Sequence, residues 1–384
     1  MNFLEATLAA LTLLSLVLGC WQWFAARRFP LHRRVADPSF APAISLLKPL
    51  KGSDATTAES LQSWFQQDYP GRIQILFGIA DARDPVGNIV RELIEKNPGR
   101  DVQLVVCAES LGTNGKVSTL VQLERLATAE LILVSDADVR VPRDFLANVV
   151  TPLRDPQIGL VNCFYRLANP TTLAMQFEAV AINADFWSQV LQSATLKPPD
   201  FALGAVMITR RQLIEAIGGF TALVNCLADD YQLGHRIAQN GHRIALCPLV
   251  VECWDKPMNW GAVWKHQLRW ARTIRVCQPV PYFFSLLSNA TLWPFLWLIA
   301  SLAGSKTLYA PLAAIVCVTL RVLFAWNLQR RLTPGQPRST PVWLVPVKDL
   351  LQTAIWLGAF LGNTVEWRGQ KMRLRRDGTL IEEK

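Results

Sequence analysis

The stretch "LILVSDADVRVP" (131–142) joins a hydrophobic segment to two closely spaced carboxylates, and it decides how the fold is interpreted. Its apolar run at 131–134 is typical of a strand buried in a parallel sheet. Asp136 and Asp138 follow, with one residue between them. Carboxylates at a strand end are explained either by an Asx-turn or by a pair of oxygen ligands for a hard divalent cation. The tripeptide alone leaves both explanations open.

The hydrophobic segment belongs to a longer alternating pattern between residues 40 and 277. Short apolar runs alternate there with helical stretches, which predicts an α/β fold with an open, mainly parallel sheet flanked by helices. In such sheets ligands bind beyond the carboxyl ends of the strands. The predicted strands are 43–47, 73–79, 102–106, 131–135, 158–163 and 203–208, and the predicted helices are 57–67, 86–97, 116–128 and 143–150.

Cations, glycines and carboxylates follow the first four predicted strands. "KPLKG" (48–52) follows the first, Asp81 the second and "GTNGK" (112–116) the third, while Asp136 and Asp138 follow the fourth. The carboxyl ends of parallel strands lie at one edge of a sheet, so these residues are expected to face one site. Lysines and a carboxylate-bound Mg²⁺ or Mn²⁺ are suited to holding an anionic diphosphate there.

Two further clusters carry candidate chemistry. "LADDYQLGHRIAQNGHR" (227–243) opens with Asp229 and Asp230 at a predicted helix start. Acidic residues there either cap the helix or include a general base that takes a proton from a hydroxyl. "WKHQLRWART" (264–273) places cations among tryptophans, and it predicts either an anion-binding segment or an amphipathic helix lying on a membrane surface.

Composition indicates a membrane protein with a basic face. Hydrophobic residues make up 51% of the 384 residues, charged residues 18%, and there are 14 tryptophans, which are enriched at membrane interfaces. The formal net charge of +9 suits anionic lipid or a phosphate-bearing ligand. Nucleic acid is not expected, because no nucleic-acid-binding motif is present. Eight cysteines without CxxC or zinc spacing predict reduced thiols in a cytosol-facing protein.

The membrane segments are predicted from length and flanking charge. Residues 3–24 are long enough to span, and Arg27 and Arg28 follow them, so an uncleaved anchor with a cytoplasmic C-terminal end is expected. Residues 282–304 and 307–327 are predicted as two further spans, joined by "GSK" and followed by Arg330, Arg331 and Arg338. The predicted organisation is an anchor (1–27), a cytoplasmic catalytic domain (40–277), a membrane region (278–364) and a basic cytoplasmic tail (365–384).

A third apolar stretch near the C-terminus is interrupted by charge. Residues 341–363 contain Lys348 and Asp349, and the apolar part from Leu350 to Gly362 is too short to cross a bilayer. Flanking basic residues would also place both of its ends in the cytoplasm. We therefore expect this stretch to be re-entrant or interfacial.

Taken together, the motifs resemble a known enzyme family. The order of Asp81, "DAD" (136–138), Asp230 and an (Q/R)xxRW-like "HQLRW" (266–270) is similar to that of inverting GT-A glycosyltransferases, in the ceramide glucosyltransferase branch. "ISLLKPLKG", "DYP", "GxNxKV", "ADDY" and the tail "RLRRDGT" resemble the same branch, as do the membrane flanks. Bacterial hopanoid-biosynthesis-associated glycosyltransferases are similar too. His266 departs from the family pattern, which has Gln or Arg there, and Asn162 stands near a position where the family has His.

The resemblance implies roles for individual residues. Asp230 would be the catalytic base, Asp136 and Asp138 would hold Mg²⁺ or Mn²⁺, and Asp81 would contact the uridine end of the donor, with Lys116 near it. Asp229 and His266 would contact the acceptor or support the site. The donor-binding residues would be Lys48, Asp81, Asn114, Lys116, Asp136, Arg269 and Trp270.

The implied activity is transfer of a hexose, with glucose as the first choice, from a UDP-sugar to the hydroxyl of a ceramide-type membrane lipid. A bacterial inner membrane, with the catalytic domain in the cytoplasm, is the expected location. Alternatives are transfer of N-acetylglucosamine to a hopanoid, a processive polysaccharide synthase and a polyprenyl-phosphate glycosyltransferase. A polysaccharide synthase needs more spans, and a polyprenyl-phosphate glycosyltransferase needs no base. A non-catalytic membrane protein that binds nucleotide sugar is a fourth alternative.

Overall fold

The computed structural model describes residues 2–304, 307–335, 341–367 and 370–382. The chain divides into two compact units, which we call the sheet unit and the helical unit. The sheet unit comprises Pro30–Asn169, Lys197–Lys256 and Gly378–Lys384, and the helical unit comprises Met1–Phe29, Pro170–Leu196 and Pro257–Asp377. The segment boundaries expected from the sequence cut the chain at other places and stay a prediction.

Helices and strands are numbered along the chain. The helices are α1 (Phe3–Arg28), α2 (Thr57–Phe65), α3 (Val86–Lys96), α4 (Gly115–Glu124), α5 (Phe145–Val150), α6 (Leu173–Val180), α7 (Trp187–Ala194), α8 (Arg211–Ala216), α9 (Asp229–Gln239), α10 (Trp260–Cys277), α11 (Pro279–Phe284), α12 (Leu292–Ala303), α13 (Tyr309–Leu332) and α14 (Leu344–Phe360). The strands are β1 (Ile44–Leu50), β2 (Ile73–Ile79), β3 (Asp101–Val106), β4 (Leu131–Ser135), β5 (Val139–Arg140), β6 (Ile158–Leu167), β7 (Val206–Arg210), β8 (Arg243–Cys253), β9 (Thr364–Trp367), β10 (Gln370–Leu374) and β11 (Leu380–Glu382).

The sheet unit is built on one eight-stranded mixed sheet with the order β3-β2-β1-β4-β7-β6-β8-β5. Strands β3, β2, β1 and β4 are parallel neighbours, and β6 is parallel to β8. Strand β7 is antiparallel to β4 and to β6, and the short β5 is antiparallel to β8. The predicted open, mainly parallel α/β sheet is therefore confirmed, and β4 is the last of the four parallel strands and the neighbour of the antiparallel β7.

Strands β1 and β4 lie at the centre of this sheet and are buried along their whole lengths. In the register between them Leu46 faces Leu133, and Leu47 faces Val134. Because successive side chains point to opposite faces, the first pair enters one hydrophobic cluster and the second pair the other. Burial of each such side chain stabilises the fold by about 1.5–3 kcal/mol. Packing on both faces of the sheet therefore fixes the position of the carboxyl end of β4.

Strands β5 and β8 escaped the sequence prediction. Strand β8 contains Pro248 and begins at Arg243, features that usually argue against an inner strand. It pairs with β6 all the same, with a register irregularity between Cys163 and Phe164. Strand β5 has two residues, which is too short for an alternating pattern to reveal. Tertiary pairing overrode the local sequence preference at both places.

The helical unit contains the candidate membrane spans. Among the described residues, α1 and α13 are long and apolar enough to cross a membrane, as predicted. The segment predicted as a span at 282–304 contains two helical pieces, Pro279–Ser288 and Leu292–Ala303, which meet at an angle of 52°, and its crossing of the membrane stays a prediction. Ser305, Lys306 and Arg338, used in the prediction, lie outside the described residues. The re-entrant or interfacial placement of α14 stays a prediction.

Helices α1 and α13 pack with their basic ends together. Trp23 stacks on Phe324 with a ring centroid distance of 5.3 Å, and its indole Nε1 donates to Asn327 Oδ1 at 3.0 Å. One turn further along both helices, Arg331 Nη2 donates to the carbonyl oxygen of Arg27 at 3.2 Å. The two helices therefore run in the same direction and end in arginines at the same level.

The charges that interrupt α14 are paired inside the helical unit. Arg321 Nη2 lies 2.8 Å from Asp349 Oδ1 and 2.9 Å from Asp185 Oδ2, and Lys348 Nζ contacts Asp185. Thr291 Oγ1 donates to Asp349 Oδ2 at 2.7 Å. Two cations and two carboxylates thus form a neutral cluster. Charges within apolar helices persist only when they are satisfied in this way.

Removing Arg321 from this cluster should destabilise the helical unit. We expect Arg321→Met to cost about 3–5 kcal/mol, because Asp349 and Asp185 would then share one lysine in an apolar environment. The measurement is thermal unfolding of the full chain in detergent or nanodiscs, with Arg330→Met on the same helix as control, since Arg330 is exposed. Equal unfolding temperatures for the two variants would contradict a role of the cluster in stability.

Candidate active site

The two carboxylates of "DAD" lie in the turn between β4 and β5. The amide of Asp136 donates to the carbonyl of Ala205 at 3.2 Å, and the amide of Trp254 donates to the carbonyl of Asp138 at 3.1 Å. Strand β5 then pairs with β8 through Val139 and Cys253. The turn is therefore held from both sides by the backbone of the sheet, which fixes the direction of both aspartates.

Lys48 lies beneath this turn, in the middle of the sheet. It is fully buried in β1, its Nζ donates to the carbonyl of Asp136 and lies 3.1 Å from Ser135 Oγ, and the ammonium stands 5.0 Å from the ring centroid of Trp64. Burial lowers the pKa of Lys48, against the charges of Asp138 and Asp136. Its described contacts support the turn; a contact with the donor stays a prediction.

Lys116 connects the DAD turn to the helix that carries the second acidic cluster. Its Nζ lies 2.8 Å from Asp136 Oδ1 and 3.0 Å from Asp229 Oδ2, and its side chain is only 9% exposed. Burial disfavours the charge on Lys116, but Asp136 and Asp229 outweigh it and raise the pKa of Lys116 above its ordinary value. The ammonium is therefore a permanent internal cation between two of the predicted site residues.

Asn114 places Lys116 by capping α4. Its Oδ1 accepts from the amide of Val117 at 3.1 Å, and its Nδ2 donates to the carbonyl of Cys226 at 2.8 Å. The amide of Asn114 itself donates to the carbonyl of Val224 at 2.7 Å. The loop at 112–116 is thus tied to the segment that leads into α9. These contacts give Asn114 a structural role as the N-cap of α4. Its role in donor binding stays a prediction.

Asp230 occupies the first turn of α9, directly against a glycine. Asp230 Oδ1 accepts from the amide of Tyr231 at 2.8 Å. A Cβ atom placed on Gly204 would stand 2.6 Å from Asp230 Oδ2, which no side chain at that position tolerates without a shift. The position of the Asp230 carboxylate therefore depends on the absence of a side chain at residue 204.

Two carboxyl groups at this edge of the sheet have pKa values above that of an ordinary surface aspartate. Burial and the neighbouring charge of Asp229 raise the pKa of Asp230 to about 6, against the lowering effect of Lys116. Burial, Asp136 and Asp255 raise the pKa of Asp138, against Lys48. A carboxyl group with a pKa near neutrality exchanges protons readily at physiological pH. Asp230 therefore has the property required of a general base.

The DAD turn contains two carboxylates, Asp136 and Asp138, that could bind a cation. Among the described residues no group of three or more His, Cys, Asp or Glu side chains is arranged to hold a metal ion. Asp136 and Asp138 are separated by one residue, and burial together with the charges of Asp136 and Asp255 raises the pKa of Asp138, so a cation beside the pair would favour its ionised form. Mg²⁺ is commonly bound by one or two carboxylates together with substrate phosphates and water. The residues fit a divalent cation that arrives with a diphosphate.

Asp81 follows β2, as predicted, and its carboxylate is bound by Arg83. Asp81 Oδ1 accepts from the amide of Arg83 at 2.9 Å, and Oδ2 pairs with Arg83 Nη2 at 2.9 Å. Hydrogen bonds from Arg83 lower the pKa of Asp81, so the carboxylate is ionised at neutral pH. A contact with the uridine end of a donor stays a prediction, and it would have to compete with Arg83.

His266, Arg269 and Trp270 lie in the helical unit on α10. Val263, Gln267 and Ala271 form the buried face of this helix, and its placement on a membrane surface or at an anion stays a prediction. His266 and Trp270 meet edge to face, with ring centroids 4.6 Å apart. His266 Nδ1 also lies 2.7 Å from Glu178 Oε1 of α6. His266 and Trp270 of the predicted motif are therefore in contact within the helical unit.

Sequence reasoning missed Gly204 and Glu178. Gly204 is one glycine among 21, and only the approach of Asp230 distinguishes it. Glu178 is a lone carboxylate in the apolar helix "LAMQFEAV", which is the one local signal that points to it. Asn162, which stands near a position where the family has His, is buried in the middle of β6.

Lys116→Met should destabilise the sheet unit in a pH-dependent way. We expect a loss on the order of 2–3 kcal/mol near pH 8, less than for a fully buried pair because the Asp136 side chain is 39% exposed. Without Lys116, the pKa of Asp230 should rise above its present value of about 6. Protonation then relieves the unpaired charge, so the loss should shrink as the pH falls towards 5.

Thermal unfolding of both proteins between pH 5 and pH 8 measures this loss. Lys96→Met is the matched control, because the Lys96 side chain is 68% exposed and pairs only with Glu92 in the described contacts. A deficit that stays constant across this pH range would show that the missing cation is not its cause.

Comparisons with known proteins show the family of this chain. A family model described as Glycosyl transferase family 21 matches residues 7–380. Ceramide glucosyltransferase 3 of Caenorhabditis elegans is 21% identical over 367 residues, which cover 93% of this chain and 78% of that protein. Beta-monoglucosyldiacylglycerol synthase of Synechocystis is 24% identical over 237 residues, 60% of this chain and 47% of that protein.

The fold is also that of a solved glycosyltransferase. A mannosyltransferase from Pyrobaculum calidifontis, determined with GDP-Man and Mn²⁺, is 24% identical and superimposes with a TM-score of 0.57. The superposition covers 91% of this chain and 99% of the mannosyltransferase. Because the family model extends over nearly all of the sequence, and the motif resemblance predicted the same branch, the chain belongs to glycosyltransferase family 21.

Proposed function

We propose that this chain transfers a hexose, glucose in the first instance, from a UDP-sugar to the hydroxyl group of a ceramide-type membrane lipid, with inversion at the anomeric carbon. The observation that carries the proposal is the linked set of Asp136, Lys116, Asp229 and Asp230 at one edge of the sheet. In this set a buried ammonium joins the carboxylate of the DAD turn to the first turn of α9, which also carries a carboxylate with a raised pKa.

Asp230 is the residue proposed to accept the proton. The lipid hydroxyl attacks the anomeric carbon as the bond from that carbon to the diphosphate oxygen breaks. UDP leaves with the electron pair, and the hydroxyl proton passes to an Asp230 carboxylate oxygen. Only one base is needed in this single displacement, and such a base contributes about 10²–10⁴-fold to the rate. The pKa of Asp230, about 6, keeps it ionised at neutral pH.

The leaving diphosphate needs positive charge. Asp136 and Asp138 would hold Mg²⁺ or Mn²⁺, which supplies Lewis-acid stabilisation of the diphosphate when bound. Lys116, already ionised and buried beside Asp136, adds a cation that needs no reorganisation during the reaction. On this proposal Lys116 holds Asp136 and Asp229 in place while the charge on the diphosphate develops.

The choice of donor and acceptor is supported by the relatives. Ceramide glucosyltransferases and a beta-monoglucosyldiacylglycerol synthase are among the relatives of this chain, so glucose and a lipid hydroxyl are the first candidates. The structurally similar mannosyltransferase was solved with GDP-Man, so the fold itself does not select the nucleotide. The apolar helices α1 and α13 would keep the enzyme at the bilayer that contains the acceptor.

The test combines product identification with Asp230→Asn. Purified protein in nanodiscs receives UDP-glucose, UDP-N-acetylglucosamine or UDP-galactose with ceramide, diacylglycerol or a hopanoid, and mass spectrometry identifies the glycolipid. We expect hexosylceramide from UDP-glucose, and a fall of kcat by about 10²–10⁴-fold in Asp230→Asn. The wild-type kcat/KM should rise with pH through about 6, where Asp230 loses its proton.

Unfolding of Asp230→Asn provides the control for this test. The folded-state pKa of Asp230 is raised, so its ionised form costs stability above pH 6. The variant should therefore unfold at the same temperature as wild type, or higher, at pH 7.5. Turnover near the wild-type rate in Asp230→Asn would refute the base assignment, and lack of any glycolipid with every acceptor would refute the proposed activity.

Gly204→Ala should lower the rate by displacing the base. A methyl group would stand 2.6 Å from Asp230 Oδ2, so the carboxylate must move by about an ångström. Misplacement of that size typically costs about 10²-fold in kcat, whereas the KM for the UDP-sugar should change little. Gly115→Ala is the matched control, because nothing lies within 4 Å of its added Cβ. Equal kcat values for the two alanine variants would contradict the positional role of Gly204.

A further inference from the structure

Glu178 is a buried carboxylate in an otherwise apolar helix. Its residue is 0% exposed in α6, next to a hydrophobic cluster that includes Phe177, Val263 and Ala271. Removal of a carboxylate from water costs several kcal/mol unless hydrogen bonds or charges compensate. Nothing in the proposed reaction uses Glu178, so its presence in this helix requires a different explanation.

The contacts of Glu178 are to two consecutive residues of α10. Gln267 Nε2 donates to Glu178 Oε1 at 2.9 Å. His266 Nδ1 lies 2.7 Å from the same oxygen, although the two groups are not aligned as a hydrogen bond. Glu178 Oε2 is buried with no hydrogen-bond partner among the described residues. The Oε1 atom of Glu178 is thus within hydrogen-bond distance of both Gln267 Nε2 and His266 Nδ1.

His266 is the first residue of the HxxRW segment, and a fraction of its ring is accessible. Its side chain is 23% exposed, and its ring contacts Trp270, one helical turn along α10. In a neutral imidazole one nitrogen donates and the other accepts. The bond made by one nitrogen determines which of them carries the proton. A carboxylate oxygen accepts hydrogen bonds, so the approach of Glu178 Oε1 to Nδ1 favours the imidazole form with the proton on Nδ1.

We propose that Glu178 is a positioning residue for His266: it accepts the Nδ1–H hydrogen bond and so leaves Nε2 as an acceptor for a hydroxyl group of the lipid that receives the sugar. This inference rests on the proposed function for the identity of that hydroxyl. It assigns a role to a buried carboxylate of the helical unit and a direction to the hydrogen bond made by His266.

The proposal distinguishes between the residues that the family pattern has at this position. A glutamine side chain has an acceptor oxygen, whereas arginine only donates. His266→Gln should therefore retain lipid binding better than His266→Arg. At residue 178, Gln retains an acceptor for Nδ1–H, whereas Met has a similar shape and no comparable acceptor. Glu178→Gln should accordingly behave more like wild type than Glu178→Met.

The first experiment measures the tautomer directly and needs no activity. The chain has four histidines, so ¹⁵N-labelled imidazoles in nanodiscs give few signals, and His266→Gln assigns the one from His266. At pH 8.5 we expect the proton on Nδ1 in wild type and in Glu178→Gln, and a shift towards Nε2–H in Glu178→Met. A proton on Nε2 in wild type, or the same tautomer in Glu178→Met, would overturn the proposal.

The second experiment measures the Michaelis constants of the two substrates separately. Loss of one hydrogen bond should raise the KM for the lipid acceptor up to about tenfold in Glu178→Met, with the KM for the UDP-sugar unchanged. Glu366→Met is the matched control, because Glu366 pairs with Lys265 of α10 at 2.8 Å and is exposed. An equal rise of both KM values, or the same rise in the control, would show a merely structural role.

The two experiments separate the two hypotheses. If no lipid is glycosylated by the wild-type protein, the proposed function fails, while the imidazole spectra still decide whether Glu178 sets the tautomer of His266. If glycosylation occurs but the tautomer is independent of residue 178, the positioning role fails and the proposed function stands. Unfolding temperatures and the signals of the other three histidines check that each variant is folded.

Discussion

The ion pairs of Lys116 are the interaction on which the rest of the candidate site depends. One ammonium joins the turn after β4 to the first turn of α9, at distances of 2.8 and 3.0 Å. Each partner comes from a different part of the sequence, and each would be a costly partly buried charge alone. The sheet positions Asp136, the capped helix α4 positions Lys116, and the pair then determines where Asp229 and Asp230 lie.

Much of this arrangement follows from the sequence, because parallel strands end at the same edge of a sheet. The residues after four apolar segments were therefore predicted to meet, and the structure joins Asp136 and Lys116 there. The sequence does not show which carboxylates form ion pairs with Lys116. The family resemblance implies that Lys116 lies near Asp81, whereas the described ion pairs of Lys116 are with Asp136 and Asp229.

The residues that escaped prediction share one property: their importance arises from non-local contact. Gly204 matters because Asp230 approaches it from another segment, and Glu178 because α10 packs against α6. Neither has a motif of its own. Strand β8 is a related case, since Pro248 weakens the local preference and pairing with β6 supplies the order. Pattern and spacing predict where backbone elements run, but the distances between side chains come from tertiary packing.

The paired arginine ends of α1 and α13 have a consequence for how often the chain crosses the bilayer. Contacts of Trp23 with Phe324, and of Arg27 with Arg331, show that the two helices run in the same direction. If both cross the membrane, the chain must return to the starting side between them. If the bent segment Pro279–Ala303, which precedes α13, is the segment that makes this return, it is a complete crossing and its 52° bend is a kink within a span.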